Sequence, residues 1–132
     1  MRVRRSLAVA ATVCASATLG ACGEEDFENN PRPAAPISLT ARIGDSGVSV
    51  GPQDVGAGLA NITISNQTDD PATLVLEGPT DESSDEIVAG GTGSMKVALE
   101  EGDYQVSNDG SGSAKLTVGP DRESSQNDLL LP

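Results

Sequence analysis

The sequence predicts an all-β fold, an antiparallel Greek-key β-sandwich of about seven or eight strands. Three observations predict it. Apolar and polar residues alternate over short runs through the middle of the chain. Glycine and proline interrupt those runs at intervals of about ten residues. No run of about ten residues or more carries a capped apolar stripe at helical spacing.

The strands follow in order. Residues 37–43 place Ile37, Leu39, Ala41 and Ile43 on one face and Ser38, Thr40 and Arg42 on the other, the period-two signature of a half-buried strand. Residues 44–47 turn the chain, Val48 and Val50 resume the alternation, and Gly51-Pro52 ends it. Residues 59–66 bury Ile62 and Ile64 beneath outward Asn61, Thr63 and Ser65, ahead of a polar turn at 67–71. Residues 72–77 are more continuously apolar, as an interior strand requires, and stop at Gly78-Pro79. Ile87-Val88 is a short apolar segment before Gly90-Gly91. Residues 94–99 turn Met95, Val97 and Leu99 inward, and after Gly102 the alternation continues through Tyr104 and Val106. Residues 114–118 close the set through Leu116 and Val118. Tyr104, which begins a strand just after an acidic-glycine turn, is expected to form a corner with its hydroxyl bonded to nearby backbone.

Ahead of these strands lie Arg2, Arg4 and Arg5, an apolar run over 7–19, and then small residues. These are the parts of an export signal. The run is shorter than the roughly 20 apolar residues a membrane span needs, and Gly-Glu-Glu-Asp follows it. Leu19, Gly20, Ala21 and Cys22 resemble the lipobox of bacterial lipoproteins. That resemblance implies cleavage before Cys22, diacylglyceryl and acyl groups on Cys22, and residence on the extracytoplasmic face of a bacterial membrane; two or three chains hold a protein there stably.

The expected organisation is a signal peptide at 1–21, a lipidated cysteine with an acidic and proline-rich tether at 22–36, the sandwich at 37–119 and a tail at 120–132. At roughly 3 Å per residue the tether spans up to about 40 Å. The tail is polar until Leu129, Leu130 and Leu131, and is expected to cover a sandwich edge or to dock another protein.

Of the 132 residues, 111 would remain after cleavage, with all 20 acidic side chains and five of the eight basic ones, a formal charge of −15. A surface so negative repels polyphosphates, which argues against nucleic acid as a partner. Cys14 lies in the signal and Cys22 would carry lipid, so no disulfide framework is available. The chain has no histidine. A Ser-His-Asp triad therefore cannot be assembled, no Gly-x-Ser-x-Gly elbow is present, and the expectation is a non-enzyme without a cofactor. Asn61-Ile62-Thr63 and Asn66-Gln67-Thr68 match the glycosylation acceptor pattern, in keeping with residues common on strand surfaces and in turns.

The stretch 59–76, an apolar strand, Asn66, a polar turn and a second apolar strand, resembles the cupredoxin segment that leads to a histidine ligand. The glycine turn at 90–93, the strand 95–99 and Glu101-Gly102-Asp103-Tyr104-Gln105-Val106 resemble the hairpin that follows in that family. The resemblance covers about 37–118 and implies a cupredoxin-like sandwich; an immunoglobulin-like sandwich shares much of the same punctuation. Blue copper needs two imidazoles and a thiolate. This chain has Ala72 near the position of a ligand histidine and no expected ligand over 107–113. Copper electron transfer is thereby excluded, and Met95 is expected to be core.

Asp81, Ser83 and Asp85 offer hard oxygens at alternate positions, a weak calcium pattern without the glycine-centred loop and distal glutamate of a calcium motif. Two functions follow as expectations. One is a membrane-anchored binding or interaction module that uses the sandwich edge or its end loops to hold an envelope protein or ligand. The other is an accessory lipoprotein that handles calcium or another hard cation.

Overall fold

The computed structural model describes residues 32–109 and 111–124, and in that range every regular element is a strand. The expected signal peptide, the lipobox of Leu19, Gly20, Ala21 and Cys22, and the leucines of the tail lie outside the described residues. Eight strands follow in order: β1 Ile37–Gly44, β2 Gly47–Gly51, β3 Asp54–Asn66, β4 Leu74–Glu77, β5 Glu82–Ser83, β6 Thr92–Leu99, β7 Gly102–Asn108 and β8 Ser111–Asp121.

The sandwich arises because β3 belongs to two sheets. Its first residues pair with β8, from Asp54↔Thr117 to Ala57↔Asp121. Its remainder lies between β1 and β6, in register Ile62↔Leu39 and Ile62↔Met95. One sheet is thus β2-β1-β3-β6 and the other β3-β8-β7-β4-β5. The sheets are mixed rather than purely antiparallel, because β1–β3 and β3–β8 run parallel while the hairpins β1–β2 and β7–β8 and the pairs β3–β6, β4–β7 and β4–β5 run antiparallel. The parallel pairs follow from the path: β2 folds back on β1, and β3 then returns along the other side of β1.

The alternation read from the sequence sets the core. Leu39, Ile43, Ile62 and Ile64 from one sheet meet Leu74, Leu76, Tyr104, Val106 and Leu116 from the other, all at most 1 % exposed. Burying each large aliphatic side chain contributes about 1.5–3 kcal/mol. Met95 joins this core, as expected. The interior strand expected over 72–77 is shorter, because Ala72 makes only an isolated bridge to Ile87 and β4 begins at Leu74.

Residues 54–58 and 119–121 differ more from the sequence reading. Val55-Gly56-Ala57-Gly58 lacks the bulky alternation of a strand, yet β3 runs through it with a register shift between Gly56 and Ala57. Gly58 has φ +127, outside the ordinary range of L residues, and a side chain there would meet the Arg122 guanidinium. β8 likewise passes through Pro120 to Asp121, beyond the expected end at 119. Pro120 is tolerated there because the parallel pairing with β3 is already irregular at that level.

Candidate functional site

Period-two alternation carries Asn66 inward with Ile62 and Ile64, and at the end of β3 it is fully buried, the one buried polar side chain among the described residues. Its amide is fully used. Nδ2 donates to the carbonyl oxygens of Asp70 at 2.8 Å, Ile87 at 3.1 Å and Val88 at 3.1 Å. Oδ1 accepts from Thr68 N at 3.0 Å and Thr68 Oγ1 at 2.7 Å. The Asn66 backbone N–H donates to Gly91 O, and Gln67 N donates to Ile43 O. One side chain therefore ties the end of β3 to the 67–71 turn and to the segment before β6. The sequence holds the signal for this in the phase of Asn66 with Ile62 and Ile64; the polar turn that follows masks it.

The same end of the sandwich holds the position where the resemblance places a histidine ligand. Ala72 stands there, 9 % exposed and tied to Ile87 by reciprocal backbone hydrogen bonds of 2.9 and 2.8 Å. A blue-copper donor set does not fit this chain, which has no histidine and whose two cysteines are Cys14 and Cys22. What the end presents to solvent is Asp69, Asp70, Pro71, Asp85, Glu86 and Val88, the last 68 % exposed.

The calcium candidates are spread along a segment rather than gathered. Asp81 Oδ1 accepts from Gly78 N at 2.9 Å and caps the turn after β4. Ser83 lies in β5 opposite Val75. The Asp85 carbonyl accepts from Ser84 Oγ, which itself accepts from Leu74 N. The extended backbone of β5 replaces the tight loop a calcium site wraps. Among the described residues no group of three or more His, Cys, Asp or Glu side chains is arranged to hold a metal.

A shallow depression of about 550 Å³ on the outer face of β4, β7 and β8 is lined by Glu77, Asp103, Gln105 and Lys115, among others. Its polar groups mostly satisfy one another. Lys115 Nζ lies 3.1 Å from Asp103 Oδ2, Thr117 Oγ1 donates to Asp103 Oδ1, and Gln105 Nε2 donates to Ser113 Oγ. The Lys115 hydrogen bond, and then that from Thr117, lower the Asp103 carboxyl below its ordinary value. Beside it Tyr104 forms the expected corner, its hydroxyl accepting from Glu100 N at 2.9 Å.

Sequence reasoning missed Arg122. Its Nε donates to Gly56 O and Ala57 O, Nη1 to Ala35 O at 2.7 Å and Nη2 to Leu59 O at 2.8 Å. It sits where β8 leaves β3 and β1 joins it, at the opposite end of the sheet from Asn66. Nothing local in the sequence marks these partners, at least 63 residues away.

No protein-family model matches this sequence, and no curated protein matches it. Solved structures do match in fold. Auracyanin B superposes with a TM-score of 0.51 at 15% identity, over 70% of this chain and 96% of that one. The Cu(I) form of a methionine-to-alanine variant of amicyanin gives 0.44 at 16% identity, over 67% and 90%. A purple cupredoxin from Nitrosopumilus maritimus gives 0.43 at 15% identity, over 63% and 99%. The domain is an all-β sandwich with cupredoxin structural neighbours.

Proposed function

We propose that this chain is a membrane-anchored extracytoplasmic lipoprotein whose cupredoxin-like sandwich works without copper as a binding or interaction module. The observation that carries the reading is the Asn66 knot. The end of the fold where the resemblance places a metal is built from a satisfied amide, an alanine and backbone bridges. Those groups fix the shape of loops and supply no soft donor. Anchoring is supported by Arg2, Arg4 and Arg5, the apolar run and Leu19-Gly20-Ala21-Cys22. The tether side of the domain, at Ala35, lies at the opposite end of the sheet from Asn66, so an anchored domain would turn the Asn66 loops away from the bilayer.

Two measurements test this. Mass spectrometry of the protein from membranes should find the peptide beginning at Cys22 bearing a diacylglyceryl group, and Cys22→Ser should release the domain from the membrane fraction. Cross-linking on intact cells should capture a defined partner with the wild type. Unmodified Cys22, or a blue absorption band with one copper bound per chain, overturns the proposal.

A further inference from the structure

The charge of this domain is unevenly distributed over its surface. The sequence has 20 acidic and eight basic residues, yet the outward positions of β1, β2, β6 and the 59–65 part of β3 contain no carboxylate. The register lines these positions up in rows. Ser38 stands beside Asn61 and Lys96, Thr40 beside Thr63 and Ser94, and Arg42 beside Ser65 and Thr92, with Ser49 on the far side of Arg42. All are exposed except Asn61 and Ser65, which are half-buried. Neighbouring strands are about 4.8 Å apart and alternate residues about 6.7 Å apart, so this face is a lattice of short hydroxyl side chains. The outer face of the other sheet and the loops carry the acids, Glu77, Glu82, Asp103, Asp45, Asp69 and Asp70 among them.

Arg42 and Lys96 stand at diagonal corners of the lattice, two strands and four residues apart, or about 16 Å. Neither forms an ion pair among the described residues. We propose that this face docks an anionic polysaccharide, with Arg42 and Lys96 meeting its acidic groups and the serine and threonine hydroxyls between them bonding to sugar hydroxyls. The inference rests on the binding-module reading and assigns the contact to a sheet face instead of an edge or the end loops.

Three physical arguments select the occupant. Protein interfaces are anchored by desolvated aromatic and apolar side chains, whereas here Leu59 and Ala98 lie together at one end of a polar face that has no aromatic. An anionic bilayer attracts clusters of about four to eight basic residues, and this face has two. Duplex nucleic acid places a charge about every 1.7 Å and meets the stronger repulsion from the remaining acidic surface, whereas a uronate glycan carries only one charge on each sugar ring and offers hydroxyls between them. Serine and threonine also lose little rotamer entropy on contact.

The test uses the full lipidated chain in neutral detergent, titrated calorimetrically with alginate oligosaccharides. Neutral dextran, duplex DNA and phosphatidylglycerol vesicles form the comparison arms. Alginate should bind with an affinity that falls as salt is raised, and Arg42→Gln with Lys96→Gln should weaken it about tenfold, as expected for two exposed ion pairs. Thr63→Asp should abolish binding, and Lys115→Gln on the other sheet should leave it unchanged. Equal binding by the double variant, a preference for DNA or vesicles, or no response to alginate overturns the inference. Capture of an envelope protein on cells without alginate binding overturns this inference alone; neither capture nor alginate binding overturns the binding-module reading as well.

Discussion

Arg122 donates from Nη1 to the carbonyl oxygen of Ala35 at 2.7 Å, joining residues 87 apart in sequence. The same guanidinium holds Gly56 O, Ala57 O and Leu59 O. β3 changes sheets at this level, and its bulge turns two successive carbonyls, Gly56 and Ala57, toward one donor. A planar fork can serve several acceptors at once where a point charge cannot. The seam between the end of β8 and the start of β1 is thus closed by a side chain rather than by strand pairing.

Arg122→Ala should accordingly destabilise the domain by about 2 kcal/mol, in the range for hydrogen bonds to a charged group, and the exposed carbonyls recover part of the loss from water. Arg122→Lys should recover only a fraction of it. Urea denaturation reads the change, and protease cleavage within 32–36 should accelerate in the same variants. A wild-type midpoint in Arg122→Ala would show that the seam is held by the strands alone.

Asn66→Ala should cost about 2 kcal/mol, because it takes the acceptor from the Thr68 N–H and one donor each from the carbonyls of Ile87 and Val88, which keep only their bonds from Ala72 N and Gly91 N. Loss of order should be local as well as global. Amide exchange at Gln67 and Gly91 should rise more than at Leu116, which lies in the middle of β8.

How much of this was legible in the sequence depends on whether the cause was local. β1, β2, β6 and β7 followed from alternation, since a strand with one face in the core must repeat at period two. Tyr104 was legible for the same reason: its partner, Glu100 N, lies four residues away. The first half of β3 was hidden because Gly56 and Gly58 are chosen for their proximity to Arg122, a contact that local pattern does not encode. Asn66 was half-legible, in phase with the isoleucines but followed by a turn. The acid-free face required the register of four strands before Arg42 and Lys96 could be placed on one surface.

Tyr104→Phe should cost about 1–2 kcal/mol, because the Glu100 N–H loses its acceptor while the ring keeps its packing. The far-ultraviolet β-sheet signature of the native state should otherwise persist. A loss much larger than this would indicate that the hydroxyl, rather than the ring, organises the turn between β6 and β7.

Asp103 on the exposed sheet face is held below its ordinary value by its neighbours. Its carboxyl is lowered first by the hydrogen bond from Lys115 and then by that from Thr117. A carboxyl lowered by folding stabilises the native state above its unfolded value, near 3.9, and that contribution disappears as pH falls through the folded value. In Lys115→Met the Asp103 carboxyl, followed by carbon NMR, should titrate at higher pH than in the wild type. The two proteins should differ in urea midpoint at neutral pH and converge in acid. Both partners are well exposed, 68% and 61%, so the difference should be small and shrink further with added salt. If Thr117→Val shifts the titration and Lys115→Met does not, the hydroxyl, not the ammonium, holds the carboxylate.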